Sequence, residues 1–484
     1  MNKRENNHEN HPLCIDLHCH PSIKPFGRAE KFSNENSRDP KKKNSIWRYD
    51  PPGHLDKIIN RSIGLTRFSQ SDFTALSKGN VRVVFCALNP IEKQFFRSSL
   101  GTDRVADLIY NFVTGIGINK INHIQDCCDN YEELCREFGF FTQLDGVQID
   151  INGKNLCYKI VHNYNELTTN LQDEKIISVI LTVEGAYVFD TNNEEPFNEA
   201  DILSKIDKMK LWAHVPFFIT VMHHFYNEMG GHTPSFPPFL SRYVDQKYGM
   251  NSGMTLLGKN VIRKLLDKDS GRIHIDIKHM SRKFRMDYYK LLEDEYQDDD
   301  IPIIVSHGCL NGYDSIYNCN NPMEDDNGVF SGGTSHFFDD EIVKIAESGG
   351  LFGIQLDDRH LSSKAEKKKI KRYYSKKTKL SMISGLVWNQ LEHIAKLLDR
   401  NGLNAWDTAV IGSDYDGIVD PPNGYWTSEQ LPLLYGNLQK HAENFVNSGM
   451  LTMTCIQNRN ISVGKIMENF FSGNAMRFLE KYFQ

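Results

Sequence analysis

Eight short runs rich in β-branched residues alternate along the chain with longer amphipathic stretches. The runs cover residues 13–18, 81–88, 176–184, 217–223, 272–279, 302–307, 350–356 and 409–414. This alternation is typical of repeated βα units around a parallel sheet, and eight is the number of strands that closes a (β/α)8 barrel. We therefore predict an α/β fold, a TIM-type (β/α)8 barrel.

The chain is longer than such a barrel requires. A barrel of this kind takes ~250 residues, whereas the chain has 484. The excess falls at 24–60, 90–170, 310–345 and 360–380. We therefore predict one barrel domain over residues 1–484 with four long insertions, and connections of this kind near strand ends often form lids or substrate walls.

Composition limits the partners and the compartment. Lys and Arg number 56 against 62 Asp and Glu, for a formal charge of -6, which disfavours a nucleic-acid partner. The ten cysteines lack paired CxxC spacing and are expected to be reduced thiols. The stretch from Met1 to His8 has no apolar signal core, and no run approaches the ~18 apolar residues of a membrane span. We expect a soluble, cytoplasmic protein with no membrane partner.

Metal-type side chains stand where six of the predicted strands end. They are His18 and His20, Glu184, His223 and His224, His279, His307, and Asp414. Because the carboxyl ends of barrel strands converge on the active site, we expect these side chains to share one pocket. His18 and His20 alternate along a strand and so can bind one ion from the same face. The same alternation predicts that Cys19 and Lys278 point away from these histidines.

The order and spacing of these segments resemble the renal, or membrane, dipeptidase family of metallopeptidases, within the amidohydrolase superfamily. The resemblance spans most of the chain. It is carried by the N-terminal histidine pair, Glu184-Gly185, His223 with Asn227, residues 275–281, Ser306-His307, His393-Ile394, residues 412–417 and residues 473–477.

The resemblance implies two divalent metal ions, expected to be Zn²⁺, bridged by Glu184. His18 and His20 would bind the first ion, and His279 and His307 the second. A hydroxide held between the ions would attack an amide or peptide bond of a small, dipeptide-like substrate. Asp414 would be the acid/base, and His223 would position the carbonyl. A homodimer is compatible with the family, although no feature of the sequence indicates one.

Two positions depart from the family pattern. The family has Asp where this chain has His20, which leaves the first ion with one less negative charge. The family also binds the substrate carboxylate through an Arg in the loop after the His307 strand, but residues Gly308 to Val329 contain no Arg. Arg359 and Arg282 are the alternatives.

Dipeptide specificity is therefore less firmly predicted than metallohydrolase chemistry. Lactone, cyclic amide or deaminase chemistry on the same metal pair is the alternative within enzymes. Outside catalysis, the alternative is a barrel that binds a metal or ligand without turnover.

Overall fold

The computed structural model describes residues 12–29, 33–127, 129–191, 197–236, 241–318, 326–417 and 419–484. The stretch from Met1 to His8 and parts of two predicted insertions, residues 30–32 and 319–325, lie outside the described residues. Among the helices of the described ranges, none is both long and apolar enough to cross a membrane.

All eight predicted strands are present, together with a hairpin that was not predicted. Within the described ranges the strands are β1 (Cys14–Cys19), β2 (Val81–Leu88), β3 (Ile149–Ile151), β4 (Lys154–Ile160), β5 (Ile176–Glu184), β6 (Phe218–Thr220), β7 (His274–Asp276), β8 (Ile304–Gly308), β9 (Leu351–Ile354) and β10 (Ala409–Ile411). The main sheet is parallel, in the order β1-β2-β5-β6-β7-β8-β9-β10. The prediction of an α/β TIM-type barrel is confirmed.

The barrel closes just beyond the end of β10. The amide of Asp414 donates to the carbonyl of His18, and the amide of His20 donates to the carbonyl of Tyr415, both at 2.9 Å. Cys19 and Tyr415 form a parallel bridge at the same place. The seam between the last and first strands is therefore made by residues next to the predicted site.

Helices surround the sheet and fill the insertions. The α-helices of the described residues are α1 (Ile23–Gly27), α2 (His54–Ile63), α3 (Phe73–Lys78), α4 (Lys93–Phe96), α5 (Arg104–Thr114), α6 (Ile118–Cys127), α7 (Asn130–Thr142), α8 (Tyr164–Asn170), α9 (Glu199–Lys210), α10 (Leu256–Leu266), α11 (Arg282–Glu295), α12 (Asp339–Glu347), α13 (Lys364–Lys371), α14 (Lys376–Arg400), α15 (Leu431–Asn444), α16 (Ile456–Arg459), α17 (Val463–Glu468) and α18 (Asn474–Tyr482). The insertion at 90–170 holds α4 to α7 and the β3–β4 hairpin.

Two apolar clusters fix the layers. The barrel interior is filled by alternate strand residues such as Ile15, Val83 and Ile180, and Phe478 and Leu479 of α18 belong to the same cluster. The outer faces of the strands pack against the surrounding helices in a larger cluster. The C-terminal helix therefore packs on the interior core, and the carboxyl ends of the strands are left for the site.

Four predicted strands were too long at their carboxyl ends. The regular strands β6, β7, β9 and β10 end at Thr220, Asp276, Ile354 and Ile411, whereas the predictions ran to 223, 279, 356 and 414. Beyond β7 and β10 the backbone turns left-handed at His279 and Asp414.

Candidate metal centre

Five imidazole rings surround the carboxylate of Glu184 at the carboxyl end of the barrel. Glu184 is the last residue of β5 and is only 2% exposed. The Nε2 atoms lie at 3.1 Å (His20), 3.3 Å (His279), 3.5 Å (His18 and His223) and 3.8 Å (His307) from its oxygens. Histidines from four other segments of the chain therefore meet at the carboxylate of Glu184.

Asp414 supplies a second carboxylate on the same side. Its oxygens lie 3.5 Å from Nε2 of His20, 3.7 Å from Nε2 of His307 and 3.8 Å from Nε2 of His18. Gln355 donates from Nε2 to Asp414 Oδ2 at 2.7 Å, which orients the carboxylate. The structure thus brings together every side chain that the sequence predicted for the site.

Irregular pairing on β1 and β8 turns three histidines inward. Between Asp16 and Cys19, β1 advances three residues while β2 advances two, from Val84 to Cys86. One extra residue in a strand moves every following side chain to the opposite face of the sheet. Such β-bulges often redirect side chains next to active sites. His18 and His20 therefore face the interior, although Ile15 earlier in the strand faces it too.

A second bulge of this kind lies in β8. The pairing advances three residues from Val305 to Gly308 against two on β9, from Phe352 to Ile354. Val305 belongs to the outer cluster, yet His307, two residues later, points into the site. Regular alternation would have placed both on the same face.

Left-handed backbone positions His279 and Asp414. Their φ angles are +64° and +59°, a region that residues other than glycine seldom adopt and that concentrates at functional sites. Because alternation fails there, Lys278 and His279 line the same cavity. The prediction that Lys278 points away from His279 is wrong for this reason.

The donor set fits a divalent metal centre. Three groups of ligand atoms each lie within 4.8 Å of one another: His18, His20 and Asp414; His18, Glu184 and His307; and Glu184, His223 and His279. His18 Nε2 and His20 Nε2 are 3.0 Å apart. Two nitrogens bound at ~2.0–2.1 Å to one zinc ion would have a separation of about this size.

The pKa values of the cluster differ among its members. Burial opposes the shift, but Glu184 and Asp414 raise the pKa of His20 to about 10, and Glu184 and Glu92 raise that of His223. Burial alone would raise the pKa of Glu184, but the neighbouring His223, His18 and His20 hold it well below its usual value. Burial lowers the pKa of His279 to about 3 and that of His307 well below the ordinary range. These two rings are therefore neutral and offer lone pairs, as metal ligands must.

His223 is fixed by a carboxylate that the sequence did not reveal. Its Nδ1 lies 2.8 Å from Oε2 of Glu92, which is fully buried in the 90–170 insertion. His224 instead bonds Oγ of Ser235 at 2.7 Å. The geometry thus places His223, rather than His224, against Glu184.

Two further polar residues were missed although a signal existed. Asn89 follows β2 and donates to Glu184 Oε2 at 3.1 Å, and Gln355 follows β9. Both stand at strand ends, so the rule that found the histidines would have found them as well. Glu92 carried no such signal because it lies in a loop before α4.

Other polar residues of the region have structural partners. Asn227 donates to the Val221 carbonyl, and His393 bonds Asp339. Asp416 accepts from Lys24 Nζ at 2.5 Å and also from Ser71. These side chains hold loops around the site and do not reach the cluster.

A cavity opens beside the cluster. Its lining includes Lys278, His279, Arg359, His360 and Asp414. We call it the outer cavity.

The structure is similar to solved metallopeptidases. It matches a metallopeptidase from Rhodobacter sphaeroides, solved with a phosphinate mimic of the dipeptide L-Ala-D-Ala, with a TM-score of 0.52 and 14% identity over 97% of this chain and 99% of that one. It matches dipeptidase AC, of metallopeptidase family M19, with a TM-score of 0.50 and 15% identity over 88% and 94%. The probable dipeptidase PvdM from Pseudomonas aeruginosa gives a TM-score of 0.50 and 14% identity over 86% and 89%.

At these identities the likeness establishes the barrel fold that the chain shares with these enzymes. No family model matches the sequence, and no curated protein matches it.

Proposed function

We propose that this chain is a metal-dependent hydrolase of the dipeptidase type, which cleaves an amide or peptide bond in a small substrate. The observation that carries the proposal is the convergence of five imidazole Nε2 atoms on the buried Glu184 carboxylate, with Asp414 beside three of the same rings. The barrel shared with solved dipeptidases supports it.

In this proposal His18, His20, Glu184, His279 and His307 hold two divalent ions. When bound, such a pair supplies Lewis acidity for a carbonyl and lowers the pKa of water. His307 is oriented for this role by Ser306, whose Oγ lies 2.9 Å from its Nδ1. Oriented outer partners of this kind commonly fix metal-binding histidines.

Asp414 would move the proton. Its carboxylate is 7% exposed, lines the outer cavity and is held by Gln355. A positioned carboxylate can take a proton from water and pass it to the leaving amine. His223, held by Glu92 and 3.5 Å from Glu184, would hydrogen-bond the substrate carbonyl.

Lys278 would bind an anionic end of the substrate. Arg359, one alternative, is paired with Asp357, with Nε 3.0 Å from both carboxylate oxygens. Arg282, the other, donates to the Ile316 carbonyl and stacks over Phe338. The ammonium of Lys278 is 5% exposed, lines the outer cavity and has no ion pair with any described residue.

Metal analysis joined to a substrate screen tests the proposal. We expect purified protein to contain a divalent metal, and we expect Glu184→Gln to lose most of it. Loaded protein is then given a mixed library of dipeptides and cyclic amides, with products identified by mass spectrometry.

The outcomes separate the alternatives. Cleavage of dipeptides that stops on chelation and returns with metal supports the proposal. Cleavage of cyclic amides alone replaces it with another amidohydrolase reaction. Metal binding without turnover of any library member, or no metal binding, overturns it.

A further inference from the structure

A second, strongly basic groove lies outside the metal centre. Its lining includes Arg28, Lys43, Arg48 and Arg67, with Asp50 as the only carboxylate. We call these four cationic side chains and their surroundings the basic groove. They come from separate segments: the end of α1, the 24–60 insertion and the loop before α3.

The protein offsets only part of the positive charge of the groove, through Asp50 and the more distant Asp416. None of the four cations lies within ion-pair distance of a carboxylate among the described residues. The four like charges repel one another, and a bound anion would relieve that repulsion.

The guanidinium groups are partly positioned by the backbone. Arg28 Nε donates to the Gly115 carbonyl at 2.8 Å, and Arg48 Nη1 donates to the Lys41 carbonyl at 2.8 Å. Arg67 stacks over the Phe112 ring, with its central carbon 4.7 Å from the ring centroid. Side chains fixed in this way lose little freedom when they bind an anion.

One donor of the groove is buried without a partner. Nε of Arg48 is enclosed and makes no hydrogen bond among the described residues. Burial and the neighbouring charge of Arg48 lower the pKa of Arg28, although Asp50 opposes this effect. Both observations describe guanidinium groups held close together with unused capacity to bind an anion.

The groove is separate from the metal centre. At the end of α5, Thr114 lines the cavity next to Glu184, whereas the following Gly115 lines the basic groove. The two sites therefore lie on opposite sides of this short segment.

We infer that the basic groove binds a small phosphate-bearing anion. Arginine groups match phosphate oxygens in bidentate geometry, and three of the four cations are arginines. A small ligand would experience mainly the local positive charge, because charges farther away than about 8 Å are screened at physiological ionic strength. A long polyanion would extend over the negative surface, which makes nucleic acid a poor fit.

Isothermal titration of the full-length protein tests the inference. The probes are inorganic phosphate, pyrophosphate and acetate at the same ionic strength. We expect saturable one-to-one binding of pyrophosphate or phosphate, and acetate should bind far more weakly.

Two exposed cations of the groove provide the test variant. Lys43→Gln with Arg67→Gln should weaken phosphate or pyrophosphate binding by about tenfold or more. Both side chains are exposed, and the Phe112 ring over which Arg67 stacks is itself exposed, so little stability should be lost. The matched control, Arg104→Gln with Lys154→Gln, removes two exposed positive charges outside the groove and should bind as the wild type does.

A metal-site variant separates this inference from the proposed function. Glu184→Gln should keep the phosphate affinity of the wild type, because the groove does not depend on the metal centre. Absence of saturable binding, equal weakening in the control, or loss of binding in Glu184→Gln alone would each overturn the inference. Acetate binding as tight as phosphate would also refute the phosphate assignment.

Discussion

The backbone amide of Asp414 donates to the carbonyl of His18 at 2.9 Å. The proposed acid/base and the first proposed metal ligand are thus joined across the seam where the barrel closes. The adjacent bond from His20 to Tyr415 repeats the connection. The distance between the carboxylate of Asp414 and the imidazoles of β1 is therefore set by barrel closure and not by a mobile loop.

Replacing Asp414 should separate metal binding from catalysis. In Asp414→Asn the other ligands remain, so we expect metal content near that of the wild type and a loss of at least ~10²-fold in kcat. Metal analysis and steady-state hydrolysis of the best library substrate measure both. Asp407→Asn, the same change at a surface pair with Arg477, is the control and should be nearly silent. Unchanged kcat in Asp414→Asn would refute the acid/base role.

Lys278 should determine the preference for a negatively charged substrate end. We expect Lys278→Gln to raise KM for dipeptides with a free carboxylate by about tenfold, because one charge-assisted hydrogen bond is lost. Dipeptides with an amidated C-terminus should be affected far less, and Lys278→Arg should retain much of the preference. Equal losses on free and amidated substrates would show that Lys278 supports the site only structurally.

The buried pair between Lys24 and Asp416 should matter for stability. Both side chains are at most 7% exposed, and Asp416→Asn leaves the ammonium without its carboxylate. Removing one partner of a buried pair costs about 3–5 kcal/mol, whereas an exposed pair contributes at most about 1 kcal/mol. In urea unfolding, Asp416→Asn should therefore lose much more free energy of unfolding than Glu468→Gln, which breaks the exposed pair with Lys465. Similar losses in the two variants would contradict this prediction.

Glu133 should make stability depend on pH in the acid range. Burial would raise its pKa, but His123 and Lys120, whose Nζ lies 2.6 Å away, lower it from 4.5 to about 2. Because the folded pKa is depressed, the stabilisation is fully present above about pH 4.5 and is lost as pH falls toward 2.

The corresponding variant is Glu133→Gln. At pH 7 its free energy of unfolding should be about 3 kcal/mol lower than that of the wild type, and this difference should become smaller as the pH falls. Denaturation at several pH values measures the gap. Glu132→Gln, at an exposed neighbour on the same helix, should show no such trend. A gap that stays constant with pH would contradict the assignment.

Two histidines beside the outer cavity should have one defined tautomer. His336 Nδ1 must donate to the Ser331 carbonyl, 2.8 Å away, so its Nε2 accepts from Nδ1 of His360 at 3.0 Å. Burial lowers the pKa of His336 to about 4 and that of His360 well below its usual value. We expect both rings to be neutral at pH 7 with the proton on Nδ1, which leaves His360 Nε2 as an acceptor.

Nitrogen NMR of histidine-labelled protein reads these states directly. The signals are assigned by their loss in His360→Gln and in His336→Asn. An imidazolium signal at pH 7, or a proton on Nε2 of either ring, would refute the arrangement.

Local patterns were enough to predict the barrel and to name the residues that cluster at its carboxyl end. The barrel could be predicted because eight β-branched runs recur at the spacing of βα units, and periodicity is a local property of the chain. Glu184 could be predicted for the same reason, since it ends a regular strand whose alternation is unbroken from Ile180.

How the other proposed ligands reach the interior depends on contacts between distant segments. His18, His20 and His307 depend on an extra residue in β1 and β8, and His279 and Asp414 depend on left-handed backbone. Predictions from alternation assume regular strand pairing, so they placed Lys278 on the wrong face. They could not identify Glu92, which lies in a loop before α4. A bulge or a left-handed residue is stabilised by neighbouring strands and loops distant in the chain, and that is why local sequence patterns do not reveal it.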